Sequence, residues 1–157
     1  MATWRYVASA VAVALVVAYA IGSGRWVTTG SAWYLSLQQP AWQPPPAVFG
    51  LAWSYNFIVL GVVGVAFALQ APPVRVTAYL FAFAMSISLA IGWAYLFYVP
   101  HSLVASAIAL TLAALVTVIP VALAFAERAW MGWLLVPYLA WLAIATSLSW
   151  GYVALAP

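Results

Sequence analysis

The sequence predicts an all-α protein: a bundle of five transmembrane helices with a tryptophan- and proline-rich loop after the first. Three observations carry that expectation. The chain is 69% hydrophobic and only 3% charged over 157 residues, where a soluble protein would be about one quarter charged. Five segments reach the roughly 20 apolar residues that a spanning helix needs. The last three connectors are short, so consecutive helices are expected to be antiparallel neighbours in an up-down arrangement. Lipid is then the solvent, and the length allows one membrane domain, residues 1–157, with no attached soluble domain.

The first span covers about Arg5–Gly24. Its apolar run continues to Ile21, past the roughly 7–15 residues of a signal-peptide core, so a retained helix is expected. Residues 25–46 form the one long connector. It holds Trp33 and Trp42 among Pro40, Pro44, Pro45 and Pro46, which stiffen the backbone and hold rings in place at low entropic cost. The second span, Ala47–Leu69, contains Asn56, the only asparagine. Its amide needs a partner in the membrane, and a neighbouring helix backbone is favoured over a ligand.

The third and fourth spans, Val76–Tyr98 and Ser102–Ala126, carry small residues at every fourth position. These are Ala78, Ala82, Ser86, Ala90 and Ala94, then Ala105, Ala109, Ala113 and Thr117. Such stripes let helix backbones approach closely, either within the bundle or across a homodimer seam. Pro120 and Pro137 fall inside the fourth span and the fifth, Trp130–Ala154. A kink or local opening beside a cavity is expected at each. Trp4, Tyr6, Trp26, Trp33, Tyr98, Trp130, Trp133 and Tyr152 lie near span ends, where rings form interfacial belts. Arg5, Arg75 and Arg128 share one side and Arg25 takes the other. The positive-inside rule then puts the amino terminus in the cytoplasm, with the first loop and carboxy terminus outside.

Composition excludes most chemistries. Glu127 is the single carboxylate and His101 the single histidine, and cysteine is absent. That leaves no carboxylate pair, no nucleophile with an activating base and no clustered metal ligands. A scattered formal charge of +3 is no nucleic-acid footprint. No span has an ionisable residue near its centre, which argues against a proton pump or ion channel. Aromatic surface remains. Trp53, Trp93 and Trp141 lie away from the span ends, and Tyr138 and Trp141 follow Pro137 at helical spacing. A rigid aromatic lid over a kinked bundle suits a large, flat, apolar ligand.

The loop residues Trp33-Tyr34, Leu37, Pro40, Trp42, Pro44 and Pro45 spell W-Y-x-x-L-x-x-P-x-W-x-P-P. The run continues as V-F-G-x-x-W from Val48 to Trp53. V-P-Y-L-A-W-L-A-I-A-T-S-L follows from Val136 to Leu148, and W-x-x-L-F-Y from Trp93 to Tyr98. Over about residues 20–150 this pattern resembles the TspO/MBR family, the tryptophan-rich sensory proteins and the mitochondrial translocator protein or peripheral benzodiazepine receptor. The resemblance implies a five-helix membrane protein, commonly a homodimer, needing no cofactor. It implies a porphyrin, haem or other tetrapyrrole-pathway ligand, and sterols in animals, bound in a cavity beneath the first loop.

By resemblance Tyr34, Trp42 and Pro45 form the lid, and Ala145 is the small residue bounding the pocket. Trp53 and Trp141 match the two cavity tryptophans implicated in light-dependent porphyrin degradation. Trp93 and Tyr138 complete the expected ligand-binding set. The family pattern is broken at Gln39, where a lysine is usual, and at Ser86, Ala90 and Ser149, where amides are usual, which implies a more apolar cavity. No basic residue follows Tyr152, so no cholesterol motif is expected. The expected function is a membrane receptor or regulator. The alternatives are a light-dependent porphyrin-degrading enzyme and a transporter of porphyrin or lipid. A bacterial cell envelope is the expected location, since no transit-peptide pattern is present.

Overall fold

The computed structural model describes residues 3–157. Six helices follow in order: α1 (Thr3–Gly24), α2 (Ala32–Ser36), α3 (Pro46–Gln70), α4 (Pro73–Tyr98), α5 (Leu103–Glu127) and α6 (Ala129–Leu155). All but α2 are long and apolar enough to cross a membrane, and the chain is an integral, multi-pass membrane protein. The long helices agree with the expected spans to within about three residues.

Local chemistry explains the ends. Pro46 and Pro73 each open a helix, with Pro45 and Pro72 as the preceding caps. Proline suits that place because the first turn has no partner for an N–H and its φ is already helical. Arg128, extended at φ −151° and ψ 127°, is the single residue between α5 and α6 and ends one helix as it starts the other. The helix α2 was not foreseen. Ser31 caps it, its hydroxyl accepting from the Tyr34 N–H at 3.2 Å. α5 and α6 run through Pro120 and Pro137 as continuous helices.

The five long helices close into a ring in the order α1, α3, α6, α5, α4. One expected pairing therefore fails. α3 and α4 are joined by only Ala71 and Pro72, yet they barely touch, because α1 lies between them. Small residues admit α1 there. Ala12 is fully buried, and a Cβ at Gly64 of α3 would come within 3.0 Å of the Ala12 Cβ. On the other flank, a Cβ at Gly22 would meet Ile91 of α4 at 2.7 Å.

α4 and α5 pack along their lengths. The α4 stripe from Ala82 to Ala94 is buried inside the bundle and is used up there. Ser86 donates to the Ala113 carbonyl of α5 at 3.1 Å and shares a 2.5 Å contact with the Thr117 hydroxyl. Ser86 thus fastens two helices.

The arginines collect as the sequence suggests. The Arg5 guanidinium donates to the Leu69 carbonyl at the end of α3 and lies 4.8 Å above the Trp4 ring. Arg75 pairs with Glu127 at 3.2 Å, joining the start of α4 to the end of α5. This pair is half exposed on the arginine side and is worth at most about 1 kcal/mol.

Ala12→Leu is expected to wedge α1 away from α3. Overpacking of this kind costs about 1–3 kcal/mol, so thermal unfolding in detergent should begin at a clearly lower temperature. An unchanged midpoint would mean that the approach is not tight.

Candidate functional site

The aromatic residues gather in two groups. The deeper one joins three helices. Tyr19 of α1 meets Trp53 at 5.5 Å and Phe57 at 5.6 Å, both edge to face, and Tyr138 of α6 at 6.4 Å. Trp53 stacks on Phe57 and turns its plane against Trp141 at 6.5 Å, while Phe49 closes on Trp141 at 5.2 Å. The Tyr138 hydroxyl donates to the Tyr19 hydroxyl at 3.2 Å, so two buried polar tips satisfy each other. Ala145, one turn beyond Trp141, is half-buried against the core.

The second group lies under the loop. Trp33 lies flat on His101 at 3.8 Å and edge-on to Phe97 at 5.4 Å. His101 is expected from sequence to be a solvated side chain. It is exposed, but its ring is stacked, and its backbone has φ 57°, the left-handed turn between α4 and α5. Tyr34 packs against Phe97, Tyr98 and Tyr152. Trp93 sits beside Phe97 and donates its indole N–H to the Ser149 hydroxyl at 3.0 Å, crossing from α4 to α6.

The loop docks on the last third of α6. Trp42 donates to the Ser147 hydroxyl at 3.2 Å, and Pro40 is buried. A Cβ at Gly151 would come 2.7 Å from Pro40 Cγ and 2.9 Å from Trp42 Cζ2, so the fit needs a bare backbone there. Gln43 donates to the Tyr34 hydroxyl at 3.4 Å and accepts from the Tyr152 hydroxyl. Tyr152 is therefore no belt residue: it is 6% exposed and ties the lid to the bundle. Trp42 itself stays 56% exposed on the outer side of this seat. Pro45 is also exposed and acts as the α3 cap.

A groove of about 500 Å³ runs between α3 and α6, its lining including Leu51, Ala52, Tyr55, Asn56, Pro137 and Trp141. Beside Pro137, the Tyr55 hydroxyl donates to the Leu134 carbonyl at 3.0 Å. Proline removes an N–H from the helix ladder and disturbs the turn before it, and the tyrosine supplies a donor in that turn. Among the described residues, three buried polar atoms lack a hydrogen-bond partner: Asn56 Nδ2, Trp141 Nε1 and Tyr79 Oη. The backbone partner expected for the Asn56 amide is not found at Nδ2.

Of the residues singled out in the sequence, Trp53, Tyr138 and Trp141 meet in the deeper group and Ala145 packs against the core one turn beyond Trp141, while Tyr34, Trp42 and Pro45 belong to the loop and Trp93 sits under it. The sequence reading missed Tyr19, Phe49, Gln43, Ser147 and Gly151. Ser147 and Gly151 were legible in principle, because two small residues four apart mark a helix face that admits close packing.

The model of the TspO/MBR family matches residues 10–155. The chain is 26% identical over 118 residues to the Tryptophan-rich protein TspO of Bacillus cereus, covering 75% of this chain and 76% of that protein. It is 30% identical over 128 residues to Protein CrtK of Rhodobacter capsulatus, covering 80% and 79% respectively.

Gly151→Ala is expected to lift the loop from α6, since neither the proline ring nor the indole can yield without moving backbone. The Trp42 emission should shift to the red and protease cleavage in residues 25–45 should accelerate several-fold. Cleavage at the parental rate would show that the seat tolerates a methyl group.

Proposed function

The chain belongs to the TspO/MBR family, and from that premise we propose a membrane receptor or regulator that binds a flat, apolar molecule of the porphyrin or tetrapyrrole class. The observation that carries this reading is the wall formed by Tyr19, Trp53, Phe57, Tyr138 and Trp141 close to a docked aromatic loop. Rings at right angles to one another leave faces and edges on which a planar ligand can stack.

Ser86, Ala90 and Ser149 give that interior little polar demand. Ser86 and Ser149 are already engaged, with Ala113, Thr117 and Trp93. Recognition would thus rest on apolar burial and stacking by Trp53, Trp93, Trp141 and Tyr138, with Ala145 leaving room. Tyr34, Trp42 and Pro45 belong to the loop that closes over the site. A homodimer belongs to this reading, with a seam on the lipid-facing side chains, since the α4 stripe is occupied. So does an orientation with the loop outside and the Arg5–Arg75–Arg128 end in the cytoplasm of a bacterial cell.

A second reading is enzymatic: oxidative breakdown of a bound porphyrin, driven by light with molecular oxygen as oxidant. The contact of Trp53 with both Trp141 and Tyr19 favours it, because redox-active rings in contact can pass a radical.

Porphyrin binding should quench tryptophan fluorescence saturably, and the Trp53→Phe, Trp141→Phe double variant should lose most of that quenching. Undiminished quenching in the double variant would remove the site. Under illumination with oxygen, the enzymatic reading requires porphyrin absorbance to fall faster with the parent protein than with the double variant. Equal rates would leave binding alone.

A further inference from the structure

The end of the bundle opposite the loop carries an unbalanced charge. Arg5, Arg75 and Arg128 lie there, with Glu127 as the one carboxylate side chain. Two of these arginines are engaged. Arg5 donates to the Leu69 carbonyl and covers the Trp4 ring, and Arg75 pairs with Glu127 at 3.2 Å. Arg128 is exposed, and among the described residues it meets no acceptor and no carboxylate.

The corner that Arg128 forms fixes its depth. It is the single extended residue between α5 and α6, helices of 25 and 27 residues. At about 1.5 Å per residue these measure roughly 38 and 40 Å, more than the hydrocarbon core of about 30 Å. Their junction reaches the headgroup layer, where a guanidinium meets phosphate. Below it, Trp130 and Trp133 share one face of α6 and are 45% and 67% exposed. Trp133 is held in place edge-on to Phe125 of α5 at 5.4 Å. The Phe125 ring in turn lies on the bare backbone of Gly132, where a Cβ would come within 2.2 Å of it.

Charge decides what suits this corner. A zwitterionic headgroup brings its own cation to a place where Arg5 and Arg128 already leave positive charge in excess. An anionic headgroup brings only the phosphate charge, and the planar guanidinium fork matches two phosphate oxygens. The two indoles supply an ordered apolar surface at the level where an acyl chain begins.

We propose that the Arg128 corner is a binding site for an anionic phospholipid, with the phosphate on the guanidinium and an acyl chain along Trp130 and Trp133. The proposal goes beyond the receptor reading and stands whether or not the natural ligand is a tetrapyrrole.

Full-length protein released into a mass spectrometer from nanodiscs of equal parts phosphatidylglycerol and phosphatidylcholine should keep phosphatidylglycerol in preference. Arg128→Gln should lower that retention about fivefold, the weight of one arginine near an anionic surface. Arg128→Lys keeps the charge and should restore most of it. Arg25→Gln makes the same change in net charge at the loop end and should leave retention as in the parent. Millimolar inorganic phosphate should not displace the lipid. Equal falls in the two glutamine variants would reduce the effect to net charge. A lysine variant that restores nothing would remove the role of the cation, and displacement by phosphate would make this a site for a free anion. Any of the three overturns the proposal.

Discussion

Hydrocarbon gives no reward for burying one apolar helix against another, and every other feature of this bundle follows from that constraint. Helices here are held by close backbone approach and by polar groups that must find one another. Ala12 against Gly64, and Gly22 against Ile91, let α1 enter between α3 and α4. Ser86 on the Ala113 carbonyl and Thr117 hydroxyl, and Tyr138 on Tyr19, supply the polar links across α4–α5 and α6–α1. Each link satisfies groups that could not be left bare at this depth.

The loop obeys the same logic at the membrane surface, where water is nearby and prolines are tolerated. Its four prolines limit the unfolded chain, and the seat on α6 then selects one arrangement. Pro40 and Trp42 against Gly151 supply shape, while Gln43, Tyr34 and Tyr152 supply a small hydrogen-bonded cluster. The stack of Trp33 on His101 links the loop to the α4–α5 turn. The loop is thereby tied to both α4 and α6.

The α3–α6 side is different in kind. Elsewhere the buried polar groups are largely paired; here Tyr55 supports the turn before Pro137, while Asn56 and Trp141 keep free donors. This is the side on which the bundle departs from simple packing, and it borders the two tryptophans the sequence brings forward. Buried donors left unpaired in this way cost stability locally.

Membrane class and the five spans, with approximate limits, followed from the sequence alone, because apolar length is a local property. The W-Y-x-x-L-x-x-P-x-W-x-P-P loop and the Pro137–Ala145 segment pointed to the family and to Trp53 and Trp141 for the same reason. Tertiary structure alone decided which helices are neighbours. The short α3–α4 connector suggested a pair that α1 separates, since packing depends on the small residues of a third helix and not on connector length. It also decided that Tyr152 seats the lid and does not sit in the belt, and that Asn56 Nδ2 is buried without a partner. Both depend on partners distant in sequence, 109 residues away for Tyr152 and Gln43, and no local pattern encodes where such partners will lie.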